Sequence, residues 1–207
     1  MRVLIIGAHG NTGFRVVHRL AASPHEPIAM IRHADQRPQF DELGVPTVLA
    51  DLEYPIDHAM HECDAVIFAA GSGGETGKNK TVLVDHLGAI RSAVAALENG
   101  VGRFVMLSSL NALPDARTNI THYHRAKGRA DAFLRSMHEI MDGRSLDWTT
   151  VHPGSLHDEA RDEKVQVMTE LVGEGRTSRV SLASALAECL DRPNTVGKCF
   201  ALLDGDR

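Results

Sequence analysis

The chain is poor in cysteine. Its 207 residues include only Cys63, Cys189 and Cys199. They are scattered and form no C-x-x-C pair, so they provide neither a disulfide framework nor a zinc ribbon, and they suit a reducing cytoplasm. Long hydrophobic runs are missing as well. No stretch approaches the ~20 apolar residues that cross a bilayer. The N-terminal "VLII" is far too short for a signal-peptide core and runs straight into glycine. Positive charge is in deficit, with 22 Lys and Arg against 27 Asp and Glu and a net charge of −5. That balance argues against nucleic acid or an anionic membrane as a general partner, while leaving single Arg or Lys side chains free to form a local anion site. Metal-ligand spacing is also lacking. Among twelve histidines, His58 and His61 stand three apart and His122 and His124 two apart, and neither pair belongs to an H-E-x-x-H constellation. Solvated or core histidines, and no metal, are expected.

Hydrophobic residues make up 43% and charged residues 24%, enough for one sizeable core and ordinary for a soluble domain. Apolar runs alternate with helical patterns. "RVLIIG" (2–7), "PIAMIR" (27–32), "PTVLAD" (46–51), "DAVIFAAG" (64–71), "RFVMLSS" (103–109), the stretch 146–154 and "KCFALLD" (198–204) read as strands. Helices are expected over 12–22, 79–99, 121–141 and 181–190. In the second of these, Leu83, Leu87, Ile90, Val94 and Leu97 follow the helical period. Such alternation predicts a single α/β domain over 1–207, a doubly wound parallel sheet with right-handed crossovers. The polar stretch 155–180 has two readings: a lobe over the carboxyl end of the sheet, where such folds bind substrates, or a surface excursion.

The first strand runs into "GAHGNTGFRV", where Gly7, Gly10 and Gly13 are spaced G-x-x-G-x-x-G before a helix. Glycines permit a tight turn and close backbone approach to a pyrophosphate, and a helix N-terminus supplies free N–H groups and the positive dipole end. Thr12 adds a hydroxyl. In this context the pattern predicts a bound dinucleotide. Where an NAD site carries an acid at the end of the second strand, this chain has Arg32, which suits a 2′-phosphate. NADP(H) is therefore favoured, and Asp35 nearby keeps NAD(H) open. Asp51 and Leu52 fall where adenine rests, and "AAGSGG" (69–74) lets backbone pass close beneath a cofactor.

The stretches "IIGAHGNTG", "GVGRFVMLSS", "YHRAKGRAD", "LDWTTVHPGSL" and "PNTVGKCFAL" make the chain similar to atypical short-chain dehydrogenases/reductases, in particular the small NAD(P)-binding proteins of NADH-flavin-reductase-like and epimerase-like kind. The resemblance implies a Rossmann domain of strand order 3-2-1-4-5-6-7. It implies cofactor contacts from Gly7, His9, Gly10, Asn11, Thr12, Gly13, Arg32, Asp51, Leu52, Ala69, Ala70, Gly71, Lys127 and the backbone of His152, Pro153 and Gly154. It also implies Tyr123, Lys127 and Ser109 or Ser108 as the reacting groups. Relatives often carry arginine at the position of His152. In many short-chain dehydrogenases the helices corresponding to 79–99 and 121–141 pair two copies, so a homodimer is an expectation of the family.

The apolar stripe Ala126, Ala130, Phe133, Leu134, Met137 and Met141 turns Tyr123 inward and puts Lys127 at its edge. A lysine there is costly without a partner. Its charge would lower the Tyr123 pKa and make the phenol a general acid or base for a carbonyl oxygen held by Ser109 or Ser108. The expected function is transfer of hydride from NADP(H) to a small carbonyl, quinone or flavin. The competing expectation is a non-catalytic NADP(H)-binding redox sensor acting through a protein partner. A sugar-nucleotide epimerase ranks third, because little chain remains after 154 for a substrate domain.

Overall fold

The computed structural model describes residues 1–73, 76–159 and 164–205. β1 (Arg2–Ile6) leads into α1 (Asn11–Ala21), β2 (Glu26–Ile31), the single turn α2 (Pro38–Asp41), β3 (Thr47–Leu49) and β4 (Ala65–Phe68). One continuous helical stretch follows, comprising α3 (Lys78–Lys80), a π-helical segment Thr81–Gly88 and α4 (Ala89–Glu98). Then come β5 (Arg103–Leu107), α5 (Thr121–Arg135), the short α6 (Met137–Ile140), β6 (Asp147–Pro153), β7 (Ser155–His157), β8 (Val165–Met168), β9 (Arg176–Ser178), α7 (Arg179–Glu188) and β10 (Lys198–Asp204).

The main sheet runs β3-β2-β1-β4-β5-β6-β10-β8. Its pairs are parallel except the last, where β8 lies antiparallel to β10. The expected order is thus present, with one added edge strand. Alternation along β1 splits its residues between two cores. Leu4 and Ile6 join Val66, Phe68, Phe104 and Met106 beneath Ala93, Ala96, Ala130 and Leu134. Val3 and Ile5 join Ile67, Val105 and Leu107 against Val16, Val17 and Leu20 of α1 and Leu182 and Leu186 of α7. Burial on both faces explains why the central strands read as unbroken apolar runs.

The long helix departs from its expected orientation. Its buried face is Asp85, Gly88, Ala89, Ser92, Ala93 and Ala96, while Leu87 is exposed and Leu83, Ile90 and Val94 are half-buried. Small residues let this helix approach its neighbours closely. A Cβ on Gly88 would lie 3.2 Å from the Leu52 Cβ. The expected helix 121–141 is interrupted at Ser136 (φ −96°, ψ 7°). The stretch 155–180 contains structure its polarity concealed. β7 and β9 form a small parallel sheet, and β8 extends the main sheet. Residues 160–163 of that stretch lie outside the described residues. Asn111, in the left-handed region at φ +65° after β5, takes a hydrogen bond from the Gly173 N–H at 3.0 Å and gives one to the Gly173 carbonyl at 2.9 Å. This part of the stretch is thereby fastened at the carboxyl end of β5.

Candidate functional site

The loop after β1 is held by contacts only glycine permits. Gly7 sits at φ +83°, and a Cβ there would lie 2.6 Å from the Ala70 backbone. A Cβ on Gly13 would lie 2.1 Å from the Gly7 carbonyl oxygen. The Gly10 N–H donates to that same carbonyl at 3.0 Å and closes the turn. α1 then begins with Gly10 as its N-cap, without a side-chain cap and without an acid in its first turn. Its unpaired N–H groups and dipole end therefore face outward for an anion. Thr12 is buried in the first turn of α1, while His9 and Gly10 of the loop and Asn11 at the helix start are exposed. These residues fit a dinucleotide pyrophosphate: a side chain at either Gly7 or Gly13 would fill the turn.

Arg32 is exposed at the end of β2. Its N–H donates to the Gln36 side chain at 2.9 Å, and its Nε lies 3.1 Å from the His33 ring. Asp35 stands exposed in the following turn. After β3 the Asp51 carboxylate accepts from the Glu53 N–H at 3.0 Å, while Leu52 is buried. After β4, Ala70 is buried and Gly71 exposed. The glycine loop, Arg32, the Asp51 turn and the Ala69–Gly71 turn thus follow the carboxyl ends of β1, β2, β3 and β4, four neighbours in the sheet.

Lys127 is buried more deeply than its helical position suggested, at 1% exposure. Its Nζ donates to the carbonyls of Ala70 and Leu107, both at 3.1 Å, tying α5 to the ends of β4 and β5. The counter-ion is Asp85, itself wholly buried, 3.3 Å from Nζ. Asp85 lies in the π-helical segment, and its other oxygen accepts from the Ser72 N–H at 3.0 Å. Burial works against the ammonium, but Asp85, Tyr123 and Asp131 together offset it and hold the Lys127 pKa above the ordinary value. Nothing local in the sequence pointed to this partner, which comes from a separate helical segment.

Tyr123 stands one turn before Lys127 and is half-buried, with Nζ 5.9 Å from its ring centroid. Burial pushes the phenol pKa up. Lys127 and a hydrogen bond with the Ser109 side chain pull it back only in part, and Asp85 and Asp131 add to the rise. The expected lowering by Lys127 is present and is outweighed. The two serines separate. Ser109 lies beside Tyr123, with its Oγ donating to the Leu110 carbonyl at 3.2 Å, whereas the Ser108 Oγ is buried and donates to the Asp131 carboxylate at 2.7 Å.

His152 is wholly buried. Nδ1 lies 2.9 Å from the Ser109 carbonyl, Nε2 2.9 Å from the Thr150 hydroxyl and 3.8 Å from the Asp131 carboxylate. Burial pushes its imidazole pKa down and the Asp131 carboxyl pKa up. Pro153 is buried, and Gly154 donates its N–H to the Thr177 hydroxyl at 2.9 Å. A Cβ on Gly154 would lie 2.4 Å from the Gly175 carbonyl oxygen. The His152–Gly154 backbone is therefore covered by the returning chain. Asp131 was legible only as a position one turn beyond Lys127.

The NAD(P)H-binding family profile matches residues 7–193. A Bacillus subtilis protein named "Uncharacterized sugar epimerase YhfK" is 37% identical, over 100% of this chain and 95% of that protein. An NAD(P)H azoreductase of Xenophilus azovorans is 27% identical, over 96% of this chain and 66% of that protein. A solved structure from Bacillus halodurans, provisionally named an NAD-dependent epimerase/dehydratase, is 40% identical with a TM-score of 0.91 and covers 100% of this chain and 95% of that one.

Proposed function

The chain belongs to the NAD(P)H-binding family, and on that premise we propose that it is an NADP(H)-dependent reductase of a small carbonyl, quinone or flavin acceptor, working in the cytoplasm. The observation that carries this reading is one juxtaposition. Tyr123, with Ser109 beside it and backed by the Lys127–Asp85 ion pair, stands near the carboxyl ends of β4 and β5, and the glycine turn packs against Ala70. Nicotinamide, when bound, supplies the hydride. Tyr123 keeps its proton at neutral pH and so serves as general acid toward an oxygen gaining charge. Ser109 orients that phenol, and the Lys127 ammonium stabilises the phenolate left behind. Arg32, open at the end of β2, is the residue for a 2′-phosphate. The Xenophilus azovorans relative, an azoreductase by name, fits the same chemistry on another electron-poor acceptor.

One observation favours the non-catalytic reading: the Lys127 ammonium is already surrounded by Ala70, Leu107 and Asp85. An epimerase is less well supported, since the described residues beyond Gly154 form β7 to β10 and α7 and no separate substrate domain. The deciding experiment is NADPH oxidation against a panel of quinones, flavins and small carbonyls. A carbonyl substrate whose kcat drops at least about 100-fold in Tyr123→Phe, with NADPH still bound, supports the enzyme. NADPH binding without turnover of any acceptor supports the sensor.

A further inference from the structure

We propose that β8 is an interface strand: the outer edges of two copies pair antiparallel about a two-fold axis at Val167 and join two sheets into one. β8 ends the sheet, so one side of it has no neighbouring strand. Its pairing with β10 fixes which groups face that side. The Gly205 N–H donates to the Lys164 carbonyl at 2.6 Å, continuing the register that sets Val165 against Asp204 and Met168 against Ala201. Hydrogen-bonded and non-hydrogen-bonded pairs alternate along an antiparallel ladder. Lys164, Gln166 and Met168 therefore direct their main-chain groups to β10, and Val165, Val167 and Thr169 turn theirs outward. Among the described residues these outward groups meet no hydrogen-bond partner.

The outward edge is complementary to itself. A two-fold axis at Val167 sets its N–H and C=O on the same groups of the partner's Val167, and those of Val165 on the partner's Thr169. It also sets Lys164 opposite the partner's Glu170 at both ends of the joint. Both side chains are exposed, and neither has an ion-pair partner among the described residues. An axis one residue earlier sets Lys164 against Met168, and one residue later sets Glu170 against Gln166, so charge selects Val167 as the centre. Edge strands commonly carry a charge or a proline that keeps other strands away, and "VQVM" has neither. The side chains agree with the backbone. Met168 packs with Ala201 and Leu203 on one face. On the other, Val165 and Val167 are 38% and 63% exposed. With Phe200, Leu202, Val180 and Ala185 they line an open groove of about 630 Å³. Pairing lays the partner's Val167 and Thr169 alongside Val167 and Val165 on this face, where they cover apolar surface. This surface is distinct from the helices 79–99 and 121–141, which pack over β1, β4 and β5.

The test is the mass of the full chain in solution against concentration, by sedimentation equilibrium. It compares the wild type with Val167→Pro, Lys164→Glu, Glu170→Lys, the Lys164→Glu/Glu170→Lys double variant and Leu87→Gln. The wild type is expected to reach twice the chain's 22.5 kDa. Val167→Pro removes an outward N–H, leaves the bonds to β10, and is expected to be monomeric. Each single charge reversal is expected to weaken the dimer about tenfold or more, because the axis repeats the like-charge pair. The double variant is expected to return to within about threefold of the wild type. A carbodiimide, which joins an amine to a carboxylate in contact, is expected to link Lys164 to Glu170. Within one chain the extended backbone holds these residues about 20 Å apart, so the link forms only between copies. Leu87→Gln is expected to leave the dimer intact. A monomeric wild type overturns the proposal. So does a dimer that Leu87→Gln dissolves and Val167→Pro leaves intact, since the helices then pair the copies. A double reversal as weak as the single ones overturns the pairing at Val167. Should Val167→Pro fail to fold, the charge series, confined to exposed side chains, carries the test.

Discussion

A lysine and an aspartate hidden together behave unlike either alone. Lys127 and Asp85 are both out of solvent, so removing one partner strands a charge in the core. Asp85→Asn is expected to cost about 3–5 kcal/mol, read from urea unfolding, while the double replacement Asp85→Leu/Lys127→Met recovers most of it because neither charge remains. Additive losses would mean that the two side chains act separately. At the opposite end of the site the expected effect is on affinity. Arg32→Ala should weaken NADPH by about tenfold or more and leave NADH nearly unchanged, as fits one lost charge-assisted contact to a phosphate. Equal weakening of both nucleotides would remove the argument for NADP(H). At this scale the sequence revealed residue types better than partners. Helical phase showed that Lys127 faces inward, but nothing local pointed to Asp85, and periodicity does not say which of two adjacent serines meets Tyr123.

Elements were legible where burial is two-sided. β4 and β5 are buried from end to end and β1 from its second residue on, and they announce themselves as apolar runs. β8, with three of its four residues exposed, leaves no such trace. The long helix is the instructive case, because its apolar stripe and its buried face differ. The π-helical segment widens a turn and seats Asp85 against Lys127. Beyond it, alanines and a serine allow close packing that leucines would prevent. Leu87→Gln should therefore change stability by no more than about 0.5 kcal/mol in the monomer, as at an ordinary surface position. Ala93→Leu, introducing bulk into a filled interface, should cost about 1–3 kcal/mol. Urea midpoints of the two variants check this, and the reverse order would restore the apolar stripe as the buried face. If Leu87→Gln instead destabilises in a concentration-dependent way, the stripe is covered by a second copy, as the family resemblance implies.

For the molecule as a whole, the site's location follows from topology. The glycine loop, the Asp51 turn, Ala70 and Ser109 gather because consecutive parallel strands all end on one side. That much could be read from the order of elements. The buried ionisable groups could not, and they set how the fold responds to pH. His86, His124 and His152 all have pKa values pushed down by burial. Below about pH 6.5 the unfolded chain therefore binds more protons than the folded one, and stability falls as pH falls. Asp131, pushed up by burial, has the opposite sign. Its folded form keeps a proton that the unfolded form loses above about pH 3.9, so it opposes the histidines in the same window. His152 contributes at most about 1.4 kcal/mol per pH unit before that offset. On the alkaline side, the buried thiols of Cys63 and Cys189 are pushed up. The unfolded chain releases those protons above about pH 8.5, and stability falls there too. Urea midpoints should thus peak between about pH 7 and 8 and decline toward pH 5.5, with a shallower acid limb in His152→Gln. An acid limb unchanged by that substitution would mean that the fall comes from His86 and His124 rather than from the cluster beneath the site.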